Sequence, residues 1–224
     1  MNGKRPWRGL RPFTMCRAAA VMTAVMAFAL TAGAAGAGGT VVDLWPGIAP
    51  PPAPVLTDAS PPKGKTALLI LDMQPQTCNA ERRPRCLDTV PAVAALAARA
   101  REAGVPVLYS LTRTGKPEDI FESMGRTADD PVVAASVDKF LGTDLEKALA
   151  ERGVTTVVVT GTAAHGAVLH TATGAAQRGL SVIVPVDGIS AEDPYTEAAA
   201  LWCLLTGPAS RGKTLPTTSA RITF

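Results

Sequence analysis

Four short aliphatic runs constrain this chain more than any other feature. They are "TALLILD" (Thr66–Asp72), "VPVLYSL" (Val105–Leu111), "VTTVVVTG" (Val154–Gly161) and "LSVIVPVD" (Leu180–Asp187). They are near-continuous apolar runs bounded by polar segments, as expected of parallel strands covered on both faces. Helical stretches separate them. "TVPAVAALAARAREAG" (Thr89–Gly104) is alanine-rich and ends in glycine, a C-terminal stop signal. "TDLEKALAERG" (Thr143–Gly153) places Leu145 and Leu149 on one face and also ends in glycine. "GAVLHTATGAAQRG" (Gly166–Gly179) uses small side chains that allow close packing on a sheet, and Ala191–Leu205 supplies a last helix. Pro131–Ser136 and Lys213–Thr218 are two further short strand candidates. The alternation predicts a three-layer α/β/α sandwich with a mainly parallel, about six-stranded sheet.

In such a fold, ligands bind beyond the carboxyl ends of the strands. That rule selects Asp72, the loop from Leu111, the segment Ala134–Lys139, the loop Thr162–Ala167 and Asp187. Asp72 ends an apolar strand, where partial desolvation would raise its pKa and suit it to acid or base work. An aspartate capping a loop amide is the plain alternative. Residues 157–179 deliver a strand, a tight loop and a helix, the setting of many nucleophiles, yet the loop holds no serine or cysteine.

The N-terminus reads as a targeting segment. Lys4, Arg5, Arg8, Arg11 and Arg17 precede the apolar run Ala18–Ala32, and small residues follow. This is the layout of a secretory signal peptide over residues 1–37, and it predicts a periplasmic or secreted protein. The run is shorter than the roughly 20 residues a spanning helix needs. Those five basic residues come out of a total of 22 Lys+Arg, leaving 17 against 19 Asp+Glu, so the mature chain is slightly acidic. Its charge gives no argument for nucleic acid, and no membrane role is expected of the mature form. Residues 38–64 are rich in proline and glycine and are expected to form an arm or linker. Residues 65–224 have the length of one domain.

Export bears on the cysteines. Cys78 and Cys86 close the loop "CNAERRPRC" and are a plausible disulfide in an oxidising compartment. Cys203, in "AAALWCLL", reads as a buried helical side chain. Arg82, Arg83 and Arg85 make the Cys78–Cys86 loop basic, either as an exposed solvated loop or as a rim that recruits carboxylates.

The strand "TALLILDMQ", followed by "GTDLEKALAERGVTTVVVTGTAAHGAVLHTATGAAQRGLSVIVPVDGIS", resembles the isochorismatase-like hydrolase superfamily over roughly Thr66–Asp193. That group includes cysteine amidohydrolases and isochorismatases, and its fold is the sandwich derived above. The resemblance implies an Asp-Lys-Cys triad in the cysteine hydrolases, with Asp72 as the aspartate and Gln74 beside it in the site. The family cysteine lies four residues before the threonine of a Thr-Ala pair. Here that pair is Thr171-Ala172, so the position is Ala167. Alanine cannot attack a carbonyl, which excludes covalent amide hydrolysis through that residue. Matching Phe140 to a family phenylalanine places the expected lysine at Ala134, with Lys139 able to bring an ammonium in by another route.

Isochorismatases are similar in needing no thiol. Their aspartate acts as a general acid, and their loop carries an Ala-His pair, here Ala164-His165. With the N-terminal targeting pattern, the resemblance therefore implies an exported hydrolase of a small organic substrate, working by Asp72-centred acid/base chemistry with Lys139 as helper. Thr162, Ala163, Ala164, His165 and Ala167 would form the substrate-binding loop, with backbone amides facing developing negative charge. A catalytically inactive binding or assembly protein on the same fold is the alternative. The resemblance also implies a homo-oligomer. His165 is expected to point at the loop and His170 into the packing. The two histidines lack the company a zinc site needs, and no cofactor or catalytic metal is expected. "GTAAHG" fits neither a dinucleotide nor a P-loop pattern.

Overall fold

The structure is a computed structural model that describes residues 39–224. The expected signal peptide lies outside the described residues. The chain divides into a unit ending at Pro51 and a unit spanning Pro52–Phe224. In the described part of the first unit, helix α1 (Val41–Leu44) is held by a capping box between Thr40 and Asp43 and runs into a 3-10 turn at Trp45–Gly47.

The second unit carries the sheet. In chain order its elements are β1 (Thr66–Leu71), α2 (Pro84–Glu102), β2 (Val107–Leu111), β3 (Val132–Ala134), α3 (Leu145–Glu151), β4 (Thr156–Thr162), α4 (Leu169–Gln177), β5 (Ser181–Pro185), β6 (Ile189–Ser190), α5 (Pro194–Thr206) and β7 (Thr214–Thr217). The strand order is β3-β2-β1-β4-β5-β7, with β6 paired to β4. Every pairing is parallel. The sheet thus has seven strands against the six expected. The extra one is the two-residue β6, too short for its residues to show a pattern.

Alternate side chains of each central strand enter different cores, which is why the runs read as continuously apolar. Leu69 and Leu71 of β1, with Val157 and Val159 of β4, pack with α3 and α4 residues such as Leu149 and Ala172. Leu68, Ile70 and Val158 face the opposite way, onto Val93 and Leu96 of α2. Two cores on two faces give the three layers.

Helix α2 starts at Pro84, five residues before the expected Thr89, because Pro84 occupies a first-turn position where its missing N–H costs nothing. Part of the proline-rich arm belongs to the fold. Ala59 pairs with Ile222, the Thr57 N–H donates to Pro216 O at 3.4 Å, and the Thr217 hydroxyl donates to Thr57 O at 2.6 Å. Arg221 donates to Asp58 at 2.7 Å and to Leu56 O at 2.8 Å. Residues near 56–59 are therefore strapped to the C-terminal segment, so the arm is not a free linker throughout.

Two side chains depart from expectation. Cys203 is exposed on α5. His170 is exposed on α4, since Thr171 and Ala172 are the residues that turn toward the core there.

Candidate functional site

Asp72 follows the last residue of β1 in the left-handed region, with φ 53°. Its N–H still donates to Ser110 O at 3.1 Å, so it extends the sheet edge. Gly161 lies directly across from Leu71 in the β1–β4 pairing, with φ 112°. A Cβ on Gly161 would stand 2.0 Å from Leu71 O, so only glycine lets β4 approach this close beside the aspartate.

Asp72 is almost fully buried, and its Oδ1 meets two donors. Lys139 Nζ lies 2.8 Å away and the Ser110 hydroxyl donates at 2.8 Å. Among the described residues no donor reaches Oδ2. Lys139 is wholly buried, and its ammonium also donates to Leu111 O at 3.1 Å and Ala135 O at 3.2 Å. All three of its hydrogens are therefore used. Its backbone N–H donates to Thr171 Oγ1 at 3.2 Å, which pins the 135–139 turn to α4. Ala134 ends β3 and is exposed, so the lysine does not come from position 134; Lys139 reaches the aspartate from the turn beyond it.

Burial raises the pKa of Asp72, and the nearby Lys139, Ser110 and Arg83 only partly oppose it. Burial lowers the pKa of Lys139, opposed by Asp72. Each partner is displaced toward its neutral form, which leaves Asp72 able to hold a proton above the ordinary carboxylate range.

Cys78 and Cys86 are joined by a disulfide with Cα atoms 5.2 Å apart. The loop it closes is not simply a solvated basic loop. Arg83 is buried, donates to Thr77 O at 3.0 Å and to Thr162 Oγ1 at 3.2 Å, and pairs with Glu192. Arg85 forms a two-bond pair with Glu197 at 2.8 and 2.7 Å. Carboxylates from the β6–α5 segment face both, and Arg83 is drawn inward while Arg85 stays half-exposed. Arg82 is the one left exposed.

A pocket of about 350 Å³ opens over Asp72, walled by Thr112–Thr114 and Ala135–Val137. None of Thr162, Ala163, Ala164, His165 or Ala167 lines it. Thr162 is buried and its hydroxyl is occupied, accepting from Arg83 and donating to Ser190 O at 3.2 Å. The Thr162–Ala163 peptide is cis, and Ala164–Val168 forms a π-helical turn leading into α4. Ala164 and Ala167 are buried in the core. His165 is exposed, with Nδ1 3.7 Å from Glu192. Gln74 is buried behind the pocket, where its amide holds Thr112 through bonds of 3.2 Å in each direction. Asp187 binds the N–H and hydroxyl of Ser219, at 2.7 and 2.6 Å, and so serves the C-terminal turn and not the site.

The sequence did not single out Ser110, which donates to Asp72 without lining the pocket, nor Arg113 and Ser136, which line the wall within the segments selected there. Ser110 alone carried a signal, a single hydroxyl inside the otherwise apolar "VLYSL". Among the described residues, no group of three or more His, Cys, Asp or Glu side chains is placed to hold a metal.

The isochorismatase domain family matches residues 66–210. The chain belongs to the isochorismatase family. Its fold is shared by an isochorismatase family protein from Burkholderia thailandensis, at 23% identity over 74% of this chain and 97% of that one, TM-score 0.63. A cysteine hydrolase from Pseudomonas syringae pv. phaseolicola 1448A is similar at 22% identity, over 75% and 94% of the two chains, TM-score 0.63. N-carbamoylsarcosine amidase from Thermoplasma acidophilum is similar at 25% identity, over 69% and 96%, TM-score 0.57. No curated protein matches the sequence. This isochorismatase-family chain has a buried Asp–Lys pair at the strand edge and Ala167 where the loop enters its helix.

Proposed function

We propose that this protein is an exported hydrolase of a small organic substrate that works without a thiol nucleophile. The observation that carries the reading is the 2.8 Å pair of Asp72 and Lys139 beneath an open pocket. A buried ion pair is a weak source of stability, and a hydrophobic pair of similar volume would often serve the fold as well. Its position at the ligand edge of the sheet, with both pKa values displaced, favours a chemical role over a silent scaffold.

In this reading Asp72 is the general acid or base. Oδ1 is held by Lys139 and Ser110, so the proton travels on Oδ2, which no donor among the described residues occupies. Lys139 has no free hydrogen for a substrate, so it orients the carboxyl group and limits the rise of its pKa. Water is the nucleophile. Ala167 has no side chain for covalent attack, the sulfurs of Cys78 and Cys86 are tied to each other, and Cys203 sits on α5. Export is proposed from the basic and apolar N-terminal pattern, and the disulfide suits an oxidising compartment.

The test is a turnover screen of the purified protein, read by mass spectrometry. The panel holds vinyl ethers (isochorismate included), small amides, ureides and carbamates. Vinyl-ether cleavage by water supports the thiol-free acid mechanism. Amide cleavage blocked by a thiol reagent contradicts it.

A further inference from the structure

The wall of the pocket over Asp72 carries one guanidinium and three hydroxyls that can donate to an anion. Arg113 is its only basic side chain, is exposed, and forms no hydrogen bond or ion pair among the described residues. Other cations near the site are already spent. Lys139 is buried with its three hydrogens used, and Arg83 is paired to Glu192 outside the pocket wall. Thr112 Oγ1 accepts from Gln74 at 3.2 Å, which leaves its own hydrogen free to donate. The Thr114 and Ser136 hydroxyls have no partner among the described residues and line the same wall. Among the described residues Asp72 is the only acid there.

We infer that the pocket binds a small organic carboxylate, its anionic group held by Arg113 and the Thr112, Thr114 and Ser136 hydroxyls, with the rest of the molecule toward Asp72. The inference deepens the hydrolase reading and rests on its choice of site. A guanidinium offers a planar fork that matches a carboxylate in two bonds. A neutral amide of the same shape could bond the hydroxyls but would forgo its charge against the guanidinium. The volume of about 350 Å³ suits a ligand of small-molecule size. The wall therefore favours an anion over a neutral amide of the same shape.

The test compares benzoate with benzamide, and crotonate with crotonamide, by calorimetric titration of the purified protein. Each pair differs in charge and little in shape. The acids are expected to bind and the amides to bind at least roughly tenfold more weakly. Arg113→Ala should weaken the acids roughly tenfold or more while leaving the melting temperature unchanged, because the side chain is exposed and unpartnered. Arg113→Lys should recover part of the loss. Equal binding of acids and amides, acid binding indifferent to Arg113→Ala, or no acid binding at all would each overturn the inference. Arg113-dependent binding together with undiminished turnover in Asp72→Asn would remove the hydrolase reading and leave this one standing. Asp72-dependent turnover with no role for Arg113 would do the reverse.

Discussion

Asp72 and Lys139 meet at 2.8 Å although they come from different parts of the chain, one at the end of β1 and the other from the turn after β3. The sheet order places β1, β2 and the β3 edge side by side, so the two residues converge over the carbonyl of Leu111. The pair is tuned from both sides, and that tuning is measurable.

Lys139 and the Ser110 hydroxyl each lower the pKa of Asp72, against the larger effect of burial. Removing either should let it rise. If protonated Asp72 is the active form, activity falls as pH rises through its raised pKa. Lys139→Met and Ser110→Ala should therefore move the alkaline limb of the pH–rate profile to higher pH, with the lysine variant moving further. A shift to lower pH, or no shift in either variant, would contradict the assignment.

The same shifts carry a sign for stability. Asp72 binds its proton more tightly folded than unfolded, so its contribution falls as pH rises from 3.8 through the folded value. Lys139 binds its proton less tightly folded, so its contribution improves as pH rises from the folded value toward 10.5. Replacing both, as Asp72→Leu with Lys139→Met, should flatten the pH dependence of the melting temperature. The double variant should be close to neutral or more stable at neutral pH, since a packed apolar pair often matches a buried ion pair. Thermal melts across pH check this.

Gly161 is predicted to be irreplaceable. Alanine there would put a carbon 2.0 Å from Leu71 O and force a positive φ on a residue with a Cβ. Gly161→Ala should cost about 2 kcal/mol or more, read from denaturant unfolding. A smaller loss would mean that β1 and β4 do not lie this close beside the site.

How much of this was legible in the sequence follows from what each residue needs. The aliphatic runs marked the strands because burial on both faces is written locally in composition. Asp72 was legible because a charged residue ending such a run has few places to go. Lys139 was harder: matching Phe140 suggested position 134, but the turn at 135–139 folds back and lets a flexible side chain reach in from five residues later. Arg83 looked like one of three solvated arginines. Its burial depends on Glu192, remote in sequence and brought near by β6. Cys203 read as core, but α5 is apolar on more than one side and leaves Trp202 and Cys203 exposed.

The disulfide should stabilise the fold through a short closed loop. With a sequence separation of 8, the chain-entropy relation gives about 2–3 kcal/mol. Replacing both Cys78 and Cys86 by serine should lower stability by that order in denaturant unfolding. No change on replacement would show that the Cys78–Cys86 loop is held by Arg83 and Arg85 alone.

Thiol chemistry should be irrelevant to turnover. Cys203 is the free cysteine among the described residues, and it is exposed. Iodoacetamide should label Cys203 without loss of activity, as read by mass spectrometry and rate on the same sample. Inactivation that tracks the labelling of Cys203 would return a cysteine to the mechanism.

Asp72 is assigned the chemistry, and kcat/KM of Asp72→Asn beside wild type, on the substrate that the screen returns, tests that role. Asparagine keeps an oxygen for Lys139 and Ser110, so the variant should stay folded at the assay temperature even if it melts lower. A loss of about 10² to 10⁴ in kcat/KM is expected, the usual worth of a positioned general acid or base. A folded Asp72→Asn protein that turns over at the wild-type rate would contradict that role.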